Sequence, residues 1–170
     1  MATGCQKDLD IGRNLIVRWA EACGSEDPLS TATTPLTYKP LGYTTTKAIN
    51  ESTRTTDANN DTSGAYQKTL QTGLGMEIPV SVFTSADIVD ISTQEELRIY
   101  RRTEITAGRQ ATLWLELTNP QLGIKEYVFC LVNDVSRSYG NEDVNTGDFN
   151  FVMISTDDST NPAYQTETIA

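Results

Sequence analysis

Few residues of this 170-residue chain come in the types and spacings that chemistry needs. Two acids, Glu116 and Glu126, flank one predicted hairpin, and a pair of carboxylates is what glycoside cleavage requires. Any acidic β-protein offers such pairs, and an aromatic content of 8% is a poor endowment for a sugar cleft. Asp57, Asn59, Asp61 and Ser63 place oxygen-bearing side chains at the first, third, fifth and seventh positions of a calcium-type loop. Thr62 stands where that loop needs glycine for its sharp turn, and Lys68 stands where it needs a bidentate glutamate. A solvated polar segment accounts for these residues better than a metal does.

Histidine, the commonest general base and a frequent zinc ligand, is absent. Cys5, Cys23 and Cys130 are odd in number and widely spaced, so they form neither a disulfide framework nor a zinc motif. Cys23 and Cys130 sit in apolar, strand-like surroundings and are expected to be small buried hydrophobes. No nucleophile elbow, phosphate-binding loop or dinucleotide fingerprint occurs. The chain is therefore expected not to be an enzyme and to hold no catalytic residue, metal or cofactor. Arg98, Arg101, Arg102 and Arg109 form the remaining cluster. They read either as a solvated helix face or as a basic surface facing acids of a neighbouring subunit.

Elements that would position these groups are mostly strands. In NLIVRWAEAC, Leu15, Val17 and Trp19 alternate with Ile16, Arg18 and Ala20. Leu36 to about Ile49 reads as a second strand or strand pair, with Pro40 and Gly42 as irregularities. Met76, Ile78, Val80 and Val82 alternate with Glu77, Pro79, Ser81 and Phe83, and Pro79 predicts a free edge there because it cannot donate to a ladder. One helix is predicted from near Thr93, where Ser92/Glu95 or Thr93/Glu96 makes a capping box, to a stop at Gly108. Its inner stripe would be Leu97, Tyr100 and Ile105, with Arg98, Arg101 and Arg102 on the outer face. ATLWLEL, the turn TNPQLG and KEYVFCLVNDV then read as a hairpin whose second strand is apolar on both faces, and DFNFVMIS reads as a closing strand. The pattern is mainly β: an antiparallel sandwich or barrel of seven or eight strands with one flanking α-helix.

Between two strand-like regions lies Glu51 to Thr69, ESTRTTDANNDTSGAYQKT, with no aliphatic side chain larger than alanine and Tyr66 as its one sizeable group. Structureless stretches longer than about 12–15 residues are uncommon inside a compact domain and are usually functional or disordered. It is expected to be a long loop, spanning 51–73, that a partner orders. Residues 1–13 are expected to be an N-terminal arm, 14–156 a single β-domain, and 157–170 a polar, extended or loose tail.

Net charge is −10, carried mostly by residues 110–170, where Lys125 and Arg137 face nine acids. Such a surface repels nucleic acid, whose binding rests on Lys/Arg contacts to phosphate. No apolar run approaches the ~18 residues of a membrane span. The N-terminal MATGCQKDLDIG lacks the apolar core of a signal peptide.

With NLIVRWAEA, PLTYKPLGYTTTKAINES, the long Thr/Asn/Asp stretch, the lone helix after MEIPVSVF, the LWLEL–YVFCLV hairpin and DFNFVMIS in that order, the chain resembles the major tail tube proteins of long-tailed bacteriophages. The resemblance spans about residues 14 to 156 and is one of order and texture. Many relatives carry a further immunoglobulin-like domain after this module, which the residues here do not extend to. What the resemblance implies is a structural virion protein, assembled in the host cytoplasm. Its copies close into rings, six to a ring, that stack into a tail tube through which DNA is ejected. The implied partners are further copies of itself, a tape measure protein, and tail terminator and distal tail or baseplate proteins. Double-stranded DNA would pass without specific binding, and no membrane is involved.

The long loop would then reach the adjacent ring through Glu51, Arg54, Asp57, Asn59, Asn60, Asp61, Tyr66 and Lys68. Some of Glu77, Glu116, Glu126, Asp134 and Asp148 would line the channel, and Arg98, Arg101 and Arg102 would form a basic face between subunits. The alternatives are another self-assembling β-protein, such as a pilus-type or other virion subunit, and a carbohydrate- or calcium-binding β-sandwich module.

Overall fold

A computed structural model describes residues 15–57, 69–84, 88–139, 145–156 and 160–169. The expected N-terminal arm lies outside them, as do Asn59, Asn60, Asp61, Tyr66 and Lys68. Strands β1 (Ile16–Glu21), β2 (Lys39–Pro40), β3 (Thr44–Lys47), β4 (Asn50–Asp57) and β5 (Thr69–Phe83) precede helix α1 (Ile88–Thr106). Strands β6 (Thr112–Asn119), β7 (Ile124–Ser138), β8 (Thr146–Met153) and β9 (Tyr164–Thr168) follow it. All pair antiparallel in the order β2-β1-β6-β7-β8-β5-β3, with β4 also on β5 and β9 also on β7.

The sheet rolls up, and its connectivity shows why. Strands β2 and β3 end the order on opposite sides, yet only Leu41, Gly42 and Tyr43 separate them in sequence. A chain that advances at most ~3.6 Å per residue forces those two edges together. Gly42 makes the bend with φ +90°, a value that a side chain would strain. Leu41 N–H donates to Val17 O at 3.1 Å and Phe83 N–H to Tyr43 O at 2.8 Å, while the Lys47 ammonium donates to Leu15 O. Inside the roll, Val17, Trp19, Ile78, Val80, Leu113, Leu115, Val128, Cys130, Phe149 and Phe151 share one buried cluster.

Helix α1 is anchored by Gln94, whose amide donates to Leu41 O at 3.1 Å and Phe83 O at 3.3 Å, and by buried Leu97. Tyr100 adds a 2.6 Å bond to Thr112 O. The helix stops as expected: Gly108 takes φ +73°, Arg109 N–H reaches Glu104 O at 2.9 Å, and Gly108 N–H reaches Ile105 O at 3.0 Å. That pair of bonds is the Schellman ending. The start differs, because the helix begins at Ile88 and Thr93 is a buried residue within it. Ile88, Val89 and Ile91 are poor helix formers, which masked the first turns, but propensities of a few tenths of a kcal/mol yield to context. Ile105 does not join the inner stripe; it is exposed.

The outer face of β6 and β7 is covered too. Trp114, Tyr127 and Phe129 pack with Leu29, Leu36, Tyr38, Ile154 and Ala163, which come from the segment after β1 and from the C-terminal stretch. This second layer explains why β7 reads apolar on both faces. Of the C-terminal tail, Tyr164–Thr168 is extended, pairing as β9 with Ile124–Val128. Pro79 lies in an interior strand, between β8 and the β3/β4 side. Its carbonyl accepts from Ala48 N–H at 3.2 Å, and its donorless nitrogen faces the gap where β3 has ended and β4 has not begun. Cys130 is buried as expected, whereas Cys23 is exposed in the turn after β1.

Candidate assembly surfaces

Three surfaces remain after the core is accounted for. The first is a hairpin that leaves the roll. Strand β4 pairs with the start of β5 from Asn50↔Glu77 to Asp57↔Thr69, with a register shift between Arg54 and Thr55. The expected structureless loop is therefore strand on both flanks. Threonines at 53, 55, 56, 69 and 72 favour extended backbone through their β-branched side chains. Alternation failed to reveal the hairpin because neither face is buried: all eight residues of β4 are exposed, as are Thr69 to Leu74. β8 joins β5 only from Glu77 onward, so among the described residues the hairpin has no further strand beside it. Leu70 and Leu74 hold their side chains in solvent at 59% and 53% exposure. Among the named contact residues, Glu51, Arg54 and Asp57 lie on this hairpin.

A second surface is acidic. Outward-facing residues of β5, β8 and β7 bring Glu77, Asp148 and Asp134 onto one exposed face. Asp148 accepts from Ser81 Oγ at 2.6 Å and Ser136 Oγ at 2.9 Å, and Glu77 accepts from Asn150 Nδ2 at 2.6 Å. Asp134 accepts from Val135 N–H at 2.8 Å. None of the three has a cationic partner among the described residues.

The other two named acids part from this group. Glu116 is only 4% exposed; it faces Arg18 at 3.5 Å and accepts from Thr118 at 3.2 Å. It lies between neighbours on β1 and β7 on the covered side of the sheet, so it offers no carboxylate to a channel. Glu126 sits on the opposite face of the sheet, where Tyr164 OH donates to it at 2.5 Å. The register pairs Glu116 with Tyr127 and Leu117 with Glu126, so the two acids point to opposite faces and cannot flank one sugar bond.

A third surface is basic. Arg98 is not on an outer face: it is 4% exposed, with its guanidinium 4.9 Å above the Phe149 ring. The inward face of α1 is Gln94, Leu97, Arg98 and Arg101, one i, i+3, i+4, i+7 stripe in which arginine substitutes for an aliphatic. Arg101 donates to Val132 O at 3.1 Å and Asn133 O at 2.8 Å, and Arg102 is exposed. Glu95 serves two arginines, accepting from Arg98 Nη1 at 2.7 Å and from Arg137. Partial burial pushes the Glu95 carboxyl up, but the bonds from Arg137 and Arg98 outweigh it and hold it below the usual carboxylate range. Arg109 is satisfied within the chain by a bidentate pair with Glu104 at 2.7 Å.

Gly147 on β8 makes room for the buried guanidinium. A methyl group there would lie 2.7 Å from Arg98 Nη2 and 3.2 Å from Ser136 O. Gly147→Ala is expected to cost about 1–3 kcal/mol, lowering the melting temperature by roughly 2–4 °C per kcal/mol. Gly75→Ala should be near neutral, because its methyl would meet the Ser52 hydroxyl at 2.9 Å, which can rotate away, and Ser52 O at an ordinary 3.7 Å. Equal melting temperatures for the two variants would show that Arg98 does not pack against β8 in this way.

The fold has solved counterparts. A chain from the tail of an empty gene transfer agent particle, determined by helical refinement with C6 symmetry, superposes with a TM-score of 0.59 at 10% identity. The match covers 95% of this chain and 100% of that one. The SPP1 tail tube gives a TM-score of 0.56 at 11% identity over 95% of this chain and 81% of that one. A chain of the six-fold symmetrised baseplate of the anti-feeding prophage gives 0.52 at 7% identity, covering 94% and 95%. No protein-family model and no curated protein matches the sequence. At such identities the likeness is one of fold, and the fold is the mainly antiparallel, single-helix architecture that the sequence predicted.

Proposed function

We propose that this chain is the structural subunit of a phage-type tail tube. Supporting this most directly is a fold likeness to tail-assembly chains that runs through nearly all of this chain and all of one counterpart. In this reading the subunits close into rings of six, which stack around a tape measure protein and meet terminator and distal tail or baseplate proteins at the ends. The product is a virion tail through which double-stranded DNA leaves the particle.

The physics of the subunit agrees with such a role. An isolated two-stranded hairpin is at best marginally stable in water, and the exposed part of the β4–β5 hairpin, Asn50–Asp57 with Thr69 to Leu74, joins neither buried cluster. A neighbouring ring that covers Leu70 and Leu74 would stabilise it by burying apolar surface. Among the described residues β4 pairs with β5 alone, which leaves it the kind of edge strand that recruits another chain. The face bearing Glu77, Asp134 and Asp148 suits a channel wall, because it repels a duplex that carries one negative charge per ~1.7 Å.

Electron microscopy of the purified protein over a concentration series tests the proposal. Hollow tubes or six-membered rings are expected to form as concentration rises. A monomer at every concentration would refute it.

A further inference from the structure

Between α1 and β7 a cavity of about 80 Å³ is lined by Arg98, Arg101, Arg102, Val135 and Arg137. It holds four guanidinium groups in a chain whose net charge is −10. Glu95 is the one carboxylate that pairs with any of them among the described residues, and it is shared by Arg98 and Arg137. Arg101 binds carbonyl oxygens, which satisfy its donors without neutralising its charge. Arg102 has no ion pair among the described residues. Most telling is Arg98, which is 4% exposed while its Nε and Nη2 are buried without a hydrogen-bond partner. A buried cation with idle donors is costly unless an anion completes it.

We infer that this pocket receives a carboxylate from a neighbouring copy of the chain. The inference rests on the tube reading, which sets copies side by side. The cavity, at about 80 Å³, is of a size that a single carboxylate can fill. Planar guanidinium forks match carboxylate geometry in bidentate fashion. The chain's 23 acids against 13 basic residues supply the carboxylates. An ion pair completed only on assembly gives the subunit a charge-specific docking point beside the non-directional burial of the hairpin.

The test uses full-length protein and the variants Arg102→Gln and Arg137→Gln, with Arg102→Lys and Arg137→Lys beside them. Thermal melts establish folding, and sedimentation gives the critical concentration for assembly. Sodium acetate is the probe, compared with sodium chloride at equal ionic strength. Acetate should raise the wild-type critical concentration more than chloride does. Each glutamine variant should assemble at a critical concentration about tenfold higher in chloride and lose the extra response to acetate. The lysine variants should lie between, because they keep the charge and lose the fork.

Glutamine variants that assemble like the wild type would overturn the inference and leave the tube reading intact. A wild type indifferent to acetate would overturn it as well. A duplex oligonucleotide retained by wild-type monomer and released by the glutamine variants would overturn it by assigning the pocket to phosphate. A wild type that never assembles would remove the tube reading, and this inference with it.

Discussion

Replacing Thr53 to Leu74 with an Asn-Gly turn is expected to yield a folded monomer that no longer forms tubes. Ser52 and Gly75 are cross-strand partners, so a two-residue type I′ turn can join them without altering the register below. The excised residues that are described are all exposed, and none belongs to either buried cluster. The melting temperature should therefore stay within a few degrees of the wild type. Assembly should respond very differently, because β4 lies in the longest exposed run among the described residues. A rise of at least about 100-fold in critical concentration is expected, equivalent to roughly 2.7 kcal/mol per subunit added. Circular dichroism and negative-stain microscopy read the two quantities separately. Tubes of ordinary length at ordinary concentration would remove the hairpin from the assembly contact.

Glu77→Lys combined with Asp134→Lys should leave folding and tube formation intact while converting the tube into a trap for DNA. Both side chains are exposed, and surface substitutions of this kind usually shift stability by no more than about 0.5 kcal/mol. Asp148 is kept, since it organises Ser81 and Ser136. Each subunit changes by four charges toward positive, and the duplex then meets ammonium groups where it met carboxylates. Particles with variant tails should release DNA orders of magnitude more slowly, and raising the salt concentration should restore release, as counterion release requires. Wild-type release rates from fully assembled variant tails would place these two acids away from the channel.

How much of this was legible in the sequence depended on whether a residue's neighbours lay along the chain or across it. Alternation at period two marks which residues share a face, and Val17/Trp19, Ile78/Val80/Val82 and Leu113/Leu115/Leu117 all fell on the buried face as a set. Gly108 ended the helix through a bond pattern that spans only six residues, so its signal was local and reliable. Arg98 was misread because helical charge was equated with solvent. The guanidinium is buried because Phe149, Gly147 and Glu95 make a place for it, and two of those three lie on a strand about fifty residues away. Glu116 and Cys23 were misread for the same reason in opposite directions: one is covered by a distant segment, and the other is left uncovered.

The polar stretch after Asn50 shows the limit most clearly. Composition said that it lacks the apolar surface to order itself within the subunit, and its described strands do lie outside the core. Composition could not say that its flanks pair, because strand pairing is a matter of register between residues that are distant in sequence, from Asp57↔Thr69 to Asn50↔Glu77. By itself the sequence determined the β class, the single helix and its ending, the interior sets of each strand and the acidic balance, all of which follow from local periodicity, local hydrogen bonding or a sum over the chain. Tertiary structure alone decided that the sheet rolls until β2 meets β3, that β9 returns to β7, that three acids share an open face while Glu116 is covered and Glu126 faces the other way, and that four arginines line one pocket in which a single carboxylate meets two of them. Those outcomes depend on which distant surfaces exclude water from one another, and no window of sequence contains both surfaces.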